Sequence, residues 1–362
     1  MSKIKVLVID DSSVIRNIVK EALSNSDEIE VIGEAEDPLV ARELIKKLNP
    51  DVLTLDVEMP KMDGITFLTN LMRLRPMPVV MLSTLTTKGA DITLEALELG
   101  AVDFIAKPSV QELLATKDSF KDVLIEKVTQ AVKVDHKSLK LTNMLSKTKE
   151  VKQHVFSGSA RANHLIAIGA STGGTEAIKA VLLSLPENAP AVVITQHIPI
   201  TFSGRFAERL DACCAVKVHE AKHGQKILVG NAYIAPGDLH LKVVSKGGAL
   251  FCNLEDSQEV SRHKPSVDVL FDSLLPIANN VQAILLTGMG QDGAKGMLHL
   301  KEAGARTLIQ NKSSSLIWGM PGKAHALGAH TAEETLLKIG ANILNFASLD
   351  KNSRQKKRGN SE

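Results

Sequence analysis

The sequence predicts an α/β protein with two domains, each built on a largely parallel β-sheet. Short runs of Val, Ile and Leu alternate with segments of helical periodicity in both halves of the chain. A Lys-rich polar segment separates the two halves. The length of 362 residues suits two domains of roughly 100–200 residues each.

The composition is that of a globular protein: 44% of the residues are hydrophobic and 23% are charged. A net charge of +2 provides no overall field for binding nucleic acid or an anionic membrane. The chain does not open with a basic region followed by a long apolar stretch, so we expect a cytosolic protein without a signal peptide. Cys213, Cys214 and Cys252 lack the spacing of disulfides or zinc sites, and we expect them to be small buried side chains.

The first 125 residues repeat a short apolar run, a polar turn and a helical period. Each run is too short for a helix and has the composition of a strand buried on both faces. The predicted strands are Val6–Ile9, Ile29–Ile32, Val52–Leu55, Val79–Leu82 and Val102–Ala106. The helical periods are Val14–Leu23, Leu39–Leu48, Ile65–Leu74 and Ala90–Leu99. Residues 1–125 are therefore predicted to form a doubly wound, five-stranded parallel sheet of the flavodoxin-like type.

Polar side chains follow these strands at the carboxyl edge of the predicted sheet. Asp10 and Asp11 follow the first strand and Asp56 ends the third, so three carboxylates converge. Carboxylates this close need a cation, and hard oxygen ligands suit Mg²⁺. Ser83 and Lys107 follow the fourth and fifth strands and add a hydroxyl and a positive charge. Each residue alone would more often be a helix cap or a surface residue, but together they predict a phosphoryl-acceptor pocket.

With the run DVEMPKMDG from Asp56 to Gly64, residues 3–122 resemble a response-regulator receiver domain. The resemblance implies that Asp56 accepts a phosphoryl group from a chemotaxis histidine kinase. It implies that the carboxylates of Asp10, Asp11 and Asp56 hold Mg²⁺. It further implies that Ser83 and Lys107 sense the phosphate, and that Phe104 is the aromatic residue that changes rotamer.

Residues 126–160 are predicted to be an interdomain linker, because lysines accumulate there and the apolar periodicity fades. A basic surface-binding segment is the alternative. The second domain is predicted at residues 161–349 and a polar tail at 350–362. Its predicted strands are His164–Gly169, Ala191–Thr195, Ala215–Val218, Asn231–Ala235, Val281–Thr287 and Thr307–Gln310, and its helices are Thr175–Leu185, Ser266–Leu275 and Ala294–Ala303. Close turns within Lys226–Phe251 predict a β-hairpin insertion in a Rossmann-like, mostly parallel α/β domain.

The run from Gly169 to Gly173, GASTG, lies between an apolar strand and a helix. It fits the G-x-S-x-G turn, in which small residues allow a sharp bend that exposes the oxygen of Ser171. A Gly-rich turn can also hold a phosphate, although G-x-G-x-x-G and the P-loop lysine are absent. Glycines that simply permit close packing are a third interpretation.

A nucleophilic serine needs a base, and the base needs an orienting group. His197 follows the strand that begins at Ala191, and Asp292 follows the strand that begins at Val281. Asp292 could instead cap the helix that begins near Ala294. Three strands would thus bring Ser, His and Asp to one rim, in a chain order that differs from that of the α/β-hydrolases.

Residues 161–346 closely resemble the catalytic domain of the chemotaxis protein-glutamate methylesterases, the CheB family. The resemblance rests on the strings IAIGASTGGTEAI, VVITQHIP, AYIAPGD, RHKPSVDVLF and LLTGMGQDGAKGM. It implies hydrolysis of γ-methyl glutamate esters on methyl-accepting chemotaxis receptors, with release of methanol, and deamidation of receptor glutamines. It implies that Ser171 is the nucleophile, His197 the base and acid, and Asp292 the orienting carboxylate. Thr172 and Met289 would line the active site, and this domain would need no cofactor.

Two other classes of output domain remain as alternatives. A transcriptional regulator would need a DNA-binding domain, but the sequence has no obvious helix-turn-helix, and we expect neither a nucleic-acid partner nor membrane insertion. A nucleotide-binding output would use the glycines at 169–174 but would leave His197 and Asp292 unexplained. Because one linker joins the domains, we also hypothesise that the unphosphorylated receiver covers the rim that carries Ser171.

Overall fold

The computed structural model describes residues 3–59, 62–107, 110–134 and 164–348. The chain divides into two compact units, Met1–Thr148 and Lys149–Glu362. Residues 135–160 of the predicted linker, the predicted tail, and Pro60 and Lys61 of the DVEMPKMDG run lie outside the described residues. Within the described ranges, no helix is both long enough and apolar enough to span a membrane.

The first unit is a five-stranded parallel sheet, as predicted. The strands are β1 (Ile4–Ile9), β2 (Ile29–Ala35), β3 (Val52–Asp56), β4 (Val79–Ser83) and β5 (Asp103–Ala106), in the order β2-β1-β3-β4-β5. All neighbouring strands are parallel. The central strands β3 and β4 are buried along their whole length, which explains why they are continuously apolar. This is the doubly wound order in which ligands bind at the carboxyl edge of the sheet.

Four helices connect these strands and a fifth follows β5: α1 (Ser13–Ser24), α2 (Pro38–Leu48), α3 (Gly64–Leu74), α4 (Thr87–Glu98) and α5 (Val110–Ala131). Side-chain oxygens cap the first four of them at Ser12, Asp37, Asp63 and Thr86. The last helix continues to Ala131, which is beyond the predicted start of the linker at residue 126.

The second unit contains a seven-stranded sheet in the order β14-β13-β12-β6-β7-β9-β8, with all neighbours parallel. Its strands are β6 (Leu165–Ala170), β7 (Ala191–Gln196), β8 (Lys217–Glu220), β9 (Asn231–Ile234), β12 (Val281–Leu285), β13 (Arg306–Gln310) and β14 (Ala332–Glu334). The helices are α6 (Gly174–Leu183), α7 (Ile200–Asp211), α8 (Val267–Asp272), α9 (Ala294–Glu302), α10 (Met320–Ala326) and α11 (Leu336–Ser348). The chain adds β7 on one side of β6 and later returns to add β12 on the other side. The crevice between β6 and β12 is therefore the topological switch point of the sheet.

Three local predictions differ from the structure. The hairpin is present, but β10 (His240–Lys246) and β11 (Ala249–Glu255) form a separate two-stranded sheet. The helix predicted at Ser266–Leu275 ends at Asp272, and a 3₁₀ helix follows at Leu275–Asn280. Pro276 has no N–H to continue the α-helical pattern. Cys213 is exposed in the turn after α7, so its predicted burial is wrong, whereas Cys252 is buried.

Candidate active site

Ser171, His197 and Asp292 all lie at the carboxyl edge of the seven-stranded sheet. Ser171 directly follows β6, and its N–H donates to the carbonyl of Thr287, which follows β12, over 3.1 Å. The N–H of His197 donates to Ala170 O at 3.2 Å, so β7 delivers this histidine beside the serine turn. The switch point between β6 and β12 therefore brings together three side chains that are far apart in the sequence.

His197 and Asp292 form a direct contact. Nε2 of His197 lies 2.8 Å from Oδ2 of Asp292, and the two side chains are 8% and 1% exposed. An ionised carboxylate can only accept hydrogen bonds, so the proton of a neutral His197 is on Nε2. The lone pair of that imidazole is then on Nδ1.

Asp292 is held by three further donors from one short segment. Ser266 Oγ donates to its Oδ1 at 2.8 Å, Val267 N to its Oδ2 at 2.7 Å, and Asp268 N to its Oδ1 at 3.0 Å. These main-chain groups belong to the start of α8, where N–H groups have no partner within the helix. Burial alone would raise the pKa of Asp292, but hydrogen bonds from His197 and from the main chain outweigh burial and hold its pKa below the usual range. Asp292 is thus an anion with a fixed orientation.

The remaining nitrogen of His197 has no hydrogen bond to the serine in this structure. Nδ1 is buried and, among the described residues, lacks a hydrogen-bond partner. Gln196 Nε2 donates to the carbonyl of Ser171 at 3.0 Å and so anchors the serine turn to the strand end next to His197. Hydrogen bonds between a nucleophile and its base are often long before substrate binds.

Position 288 lies between Ser171 and Met320, in the wall of the site beside Ser171, and a side chain larger than that of glycine would crowd both residues there. A Cβ atom there would lie 2.3 Å from Met320 Sδ and 2.9 Å from Ser171 Cβ. Met289 follows this glycine, and its Cα lies 3.1 Å from where a Cβ of Gly319 would be. Thr172 is buried, and its carbonyl accepts a hydrogen bond from Thr287 Oγ1 at 3.0 Å. Both sequence-predicted lining residues thus lie in turns next to Ser171.

Sequence reasoning missed two contributions to this site. The ring of His263 stacks on that of His197, with centroids 3.6 Å apart and planes at 18°. Ser266 and the N–H groups that follow it hold Asp292. The Pro265-Ser266 pair before an apolar helical run was a recognisable helix start, and free N–H groups are expected there. No local pattern indicates which carboxylate those groups meet.

The first unit brings its predicted acidic residues together as well. One carboxylate oxygen from each of Asp10, Asp11 and Asp56 lies within 4.8 Å of the other two. Asp10 and Asp56 are buried, whereas Asp11 is exposed. Lys107 Nζ lies 2.7 Å from Asp10 Oδ2 and 2.7 Å from Asp56 Oδ1, so it bridges the two buried carboxylates.

This pocket has more negative than positive charge, which favours binding of a cation. Burial raises the pKa of Asp56 to about 6 and the charge of Asp10 adds to the effect, although Lys107 opposes it. Burial also raises the pKa of Asp10. One ammonium group therefore does not fully stabilise three carboxylates. Hard oxygen donors in this number, one of them facing solvent, fit Mg²⁺ with its water ligands.

Ser83 and Phe104 lie near this pocket but do not join its ion pairs. Ser83 Oγ accepts a hydrogen bond from Thr93 Oγ1 at 2.6 Å and lies 3.3 Å from Gly89 O, so it is directed toward α4. Phe104 is buried, and its ring lies 5.5 Å from Nζ of Lys127 in α5. Lys107 is joined to β4, because its N–H donates to Ser83 O at 2.7 Å.

Known proteins share both units. The profile of the CheB methylesterase family matches residues 166–343, and that of the response regulator receiver domain matches residues 6–117. Protein-glutamate methylesterase/protein-glutamine glutaminase 1 of Xanthomonas euvesicatoria is 49% identical over 346 residues, covering 94% of this chain and 96% of the relative. The corresponding protein 2 of Saccharophagus degradans is 50% identical over 348 residues, covering 96% and 99%. The crystal structure of the Thermotoga maritima CheB methylesterase catalytic domain has 31% sequence identity and a TM-score of 0.49, covering 52% of this chain and 98% of that one.

Proposed function

We propose that this chain, which belongs to the CheB methylesterase family and carries a response regulator receiver domain, hydrolyses glutamate methyl esters with Ser171, His197 and Asp292 as its catalytic triad. The observation that carries this proposal is the pairing of a buried, ionised Asp292 with His197 beside the Ser171 turn. The substrates would be the methyl-accepting chemotaxis receptors. Deamidation of receptor glutamines would use the same site.

The first half of the reaction follows from the protonation state of His197. With Nε2–H bound to Asp292, Nδ1 takes the proton of Ser171 Oγ as that oxygen attacks the ester carbonyl. Asp292 stabilises the imidazolium that results. The imidazolium then protonates the leaving group: the methoxy oxygen, which leaves as methanol, or the amide nitrogen of a glutamine, which leaves as ammonia. Ser171 is left esterified to the glutamyl group.

The second half reverses these proton transfers. Neutral His197 takes a proton from water, and the resulting hydroxide attacks the acyl-enzyme carbonyl. Collapse of the tetrahedral intermediate returns the proton from His197 to Ser171 Oγ and releases the receptor with a γ-carboxylate on its glutamate side chain. Main-chain N–H groups in the turns at Thr172 and Met289 are the donors we propose for the developing oxyanion. The stack of His263 on His197 would limit rotation of the imidazole during both halves.

The receiver unit would regulate this reaction through Asp56, phosphorylated by a chemotaxis histidine kinase in the cytoplasm. Asp10, Asp11 and Asp56 would hold Mg²⁺, which supplies positive charge to the phosphoryl group. Lys107 would bind a phosphoryl oxygen, and Ser83 and Phe104 would respond by moving. The regulatory domain would be residues 1–125 and the hydrolase domain residues 161–349, and the linker proposed between them, at 126–160, would begin only after α5 ends at Ala131.

Methanol release from methylated receptor tests the proposal. We expect Ser171→Ala to lower the rate by about 10⁴-fold or more, because alanine has no hydroxyl with which to form the acyl-enzyme. Ser257→Ala, in an exposed loop, is the matched control and should retain wild-type activity. Equal rates for Ser171→Ala and wild type would remove Ser171 as the nucleophile.

A small phosphodonor separates the regulatory half from the catalytic half. It should accelerate wild type and leave Asp56→Asn at the basal rate. Omission of Mg²⁺ from the assay should abolish the acceleration without lowering the basal rate. Basal activity that depends on Mg²⁺ would contradict this division of roles.

A further inference from the structure

Three potential metal ligands cluster in the second unit, and no step of the proposed reaction uses them. His325 lies near the C-terminal end of α10, His330 in the loop that follows, and Glu333 in β14. One ligand atom of each residue lies within 4.8 Å of those of the other two. These residues are separate from the acidic pocket of the first unit, and two of the three are histidines.

The imidazole rings of His325 and His330 stack on each other, and their ligand atoms lie within 4.8 Å of one another. Their centroids are 5.0 Å apart and their planes differ by 18°. A metal ion lies in the plane of a ligating imidazole, about 2.1 Å from the nitrogen and thus about 3.2 Å from the centroid. The two rings can therefore share one ion only if at least one of them rotates out of the stack when the ion binds.

His330 has a buried nitrogen available for this role. Its Nδ1 has no hydrogen-bond partner within the described part of the chain, and the ring also has a hydrogen bond with the main chain of Ala324. Ligating histidines typically use one nitrogen for the metal and the other for a main-chain or carboxylate oxygen. A buried nitrogen without a partner is otherwise a cost to folding.

The surrounding charges affect how tightly a cation would bind. Lys301 acts on His330 electrostatically, while its Nζ donates to Gly328 O at 2.6 Å, and this ammonium opposes a cation. The exposed carboxylate of Glu333 provides the compensating negative charge. Imidazole ligands favour transition metals over Mg²⁺ and Ca²⁺.

We propose that His325, His330 and Glu333 bind one divalent transition-metal ion of the Zn²⁺ class. The ion would join the end of α10 to β14, an edge strand of the sheet. Met320, at the start of the same helix, lies at the wall beside Ser171. Occupancy would therefore stabilise a helix that forms part of the active-site wall. The metal site itself does not depend on the proposed function.

The chain contains a single tryptophan that reports on this site. The ring centroid of Trp318 is 6.3 Å from that of His325. Paramagnetic Co²⁺ bound by His325 should quench Trp318 fluorescence, and Zn²⁺ should displace the weaker-binding Co²⁺ and restore emission. The titration uses the full chain without a His-tag, with saturating Mg²⁺ to occupy the receiver. Cys213→Ser/Cys214→Ser in the background removes the thiol pair.

We expect saturable quenching by one equivalent of Co²⁺. His325→Gln, His330→Asn and Glu333→Gln should each weaken it by about 10-fold or more. His299→Gln is the matched control, because this half-exposed histidine pairs with Asp272 instead, and it should leave the affinity unchanged. Lys301→Gln should tighten binding.

Glu333→Gln alters an exposed side chain and should fold normally, so the test does not depend on the more buried His330 variant. Absence of saturable quenching in wild type would overturn the proposal. Quenching that persists at full affinity in all three ligand variants would overturn it too, and the two histidines would then be in a simple ring contact.

Discussion

Each unit has a buried aspartate at the carboxyl edge of a parallel sheet, yet the two carboxylates are in opposite electrostatic states. Asp56 is 3% exposed and Asp292 is 1% exposed. Burial raises the pKa of Asp56 to about 6, with a further contribution from Asp10. Hydrogen bonds from His197 and the main chain overcome the burial of Asp292 and lower its pKa. Similar burial therefore does not lead to a similar charge state.

The number of donors explains the difference. Among the described residues, Asp56 has Lys107 at 2.7 Å and one long main-chain contact, from Glu58 N at 3.3 Å. Asp292 accepts from four groups at 2.7–3.0 Å, three of them on the segment that begins α8. A carboxylate with few donors keeps its oxygens available for a metal and a phosphoryl group. A carboxylate whose oxygens are already occupied can only orient and stabilise its neighbour.

The same substitution, Asp to Asn, should affect the rate of the hydrolase reaction very differently at the two positions. Asp292→Asn should lower kcat for methanol release by about 10⁴-fold, because an amide neither holds the Nε2–H tautomer of His197 nor stabilises the imidazolium. Asp56→Asn should leave the basal rate unchanged. Steady-state rates without a phosphodonor measure both effects. Retention of most activity by Asp292→Asn would show that Asp292 is not the orienting carboxylate.

The two substitutions should change stability in opposite directions. Asp56→Asn removes an unfavourable buried charge and should stabilise the first unit at pH 7 by about 1–2 kcal/mol. Asp292→Asn turns an amide N–H₂ toward main-chain donors and should destabilise the second unit by about 1–3 kcal/mol. Hydrogen exchange of β1 and of β12 reports on the two units separately. Asp272→Asn, half-exposed beside His299, is the control. Two changes of the same sign would contradict our account of the pKa values.

Lowering the pH should increase the stability of the first unit through Asp56. The pKa of Asp56 is raised in the folded state, so the folded state binds a proton more readily, and stability rises as the pH falls from 7 to 5. The expected gain is about 1 kcal/mol from a shift of this size, measured without Mg²⁺. The described part of the first unit contains no histidine that titrates in this interval. After correction for intrinsic rates, exchange of β1 should show this gain in wild type and a smaller one in Asp56→Asn.

Removal of one donor to Asp292 should slow catalysis less than removal of its charge does. Ser266→Ala deletes the Oγ contact at 2.8 Å but keeps both main-chain N–H groups. One hydrogen bond to a charged acceptor is worth about 1.5–3 kcal/mol, so we expect the pKa of Asp292 to rise and kcat to fall by about 10-fold or more. Carboxylate titration by NMR and methanol release measure these changes. Ser273→Ala, at the other end of α8, should leave both unchanged.

Much of the fold followed from local patterns. Burial on both faces makes a strand such as β3 continuously apolar, and a polar residue at its end is then visible in the sequence alone. Asp10, Asp56, Ser171 and His197 were identified as candidates for this reason. Two local predictions failed. The α-helix predicted to reach Leu275 ends earlier, before Pro276, and Cys213, predicted to be buried, lies exposed in a turn.

The sequence itself determined that there are two domains with parallel α/β sheets and which candidate residues lie at the strand ends. Apolar periodicity and turn residues are patterns among near neighbours in the chain, so they can be read from the sequence alone. The tertiary structure alone decided that β12 lies beside β6, that α8 directs its free N–H groups at Asp292, and that His197 presents Nε2 rather than Nδ1 to this carboxylate. It also decided that His325, His330 and Glu333 lie close together. These contacts depend on the order and packing of elements that are distant in the chain, and no local pattern contains that information. His197 and Asp292, for example, are 95 residues apart in the sequence.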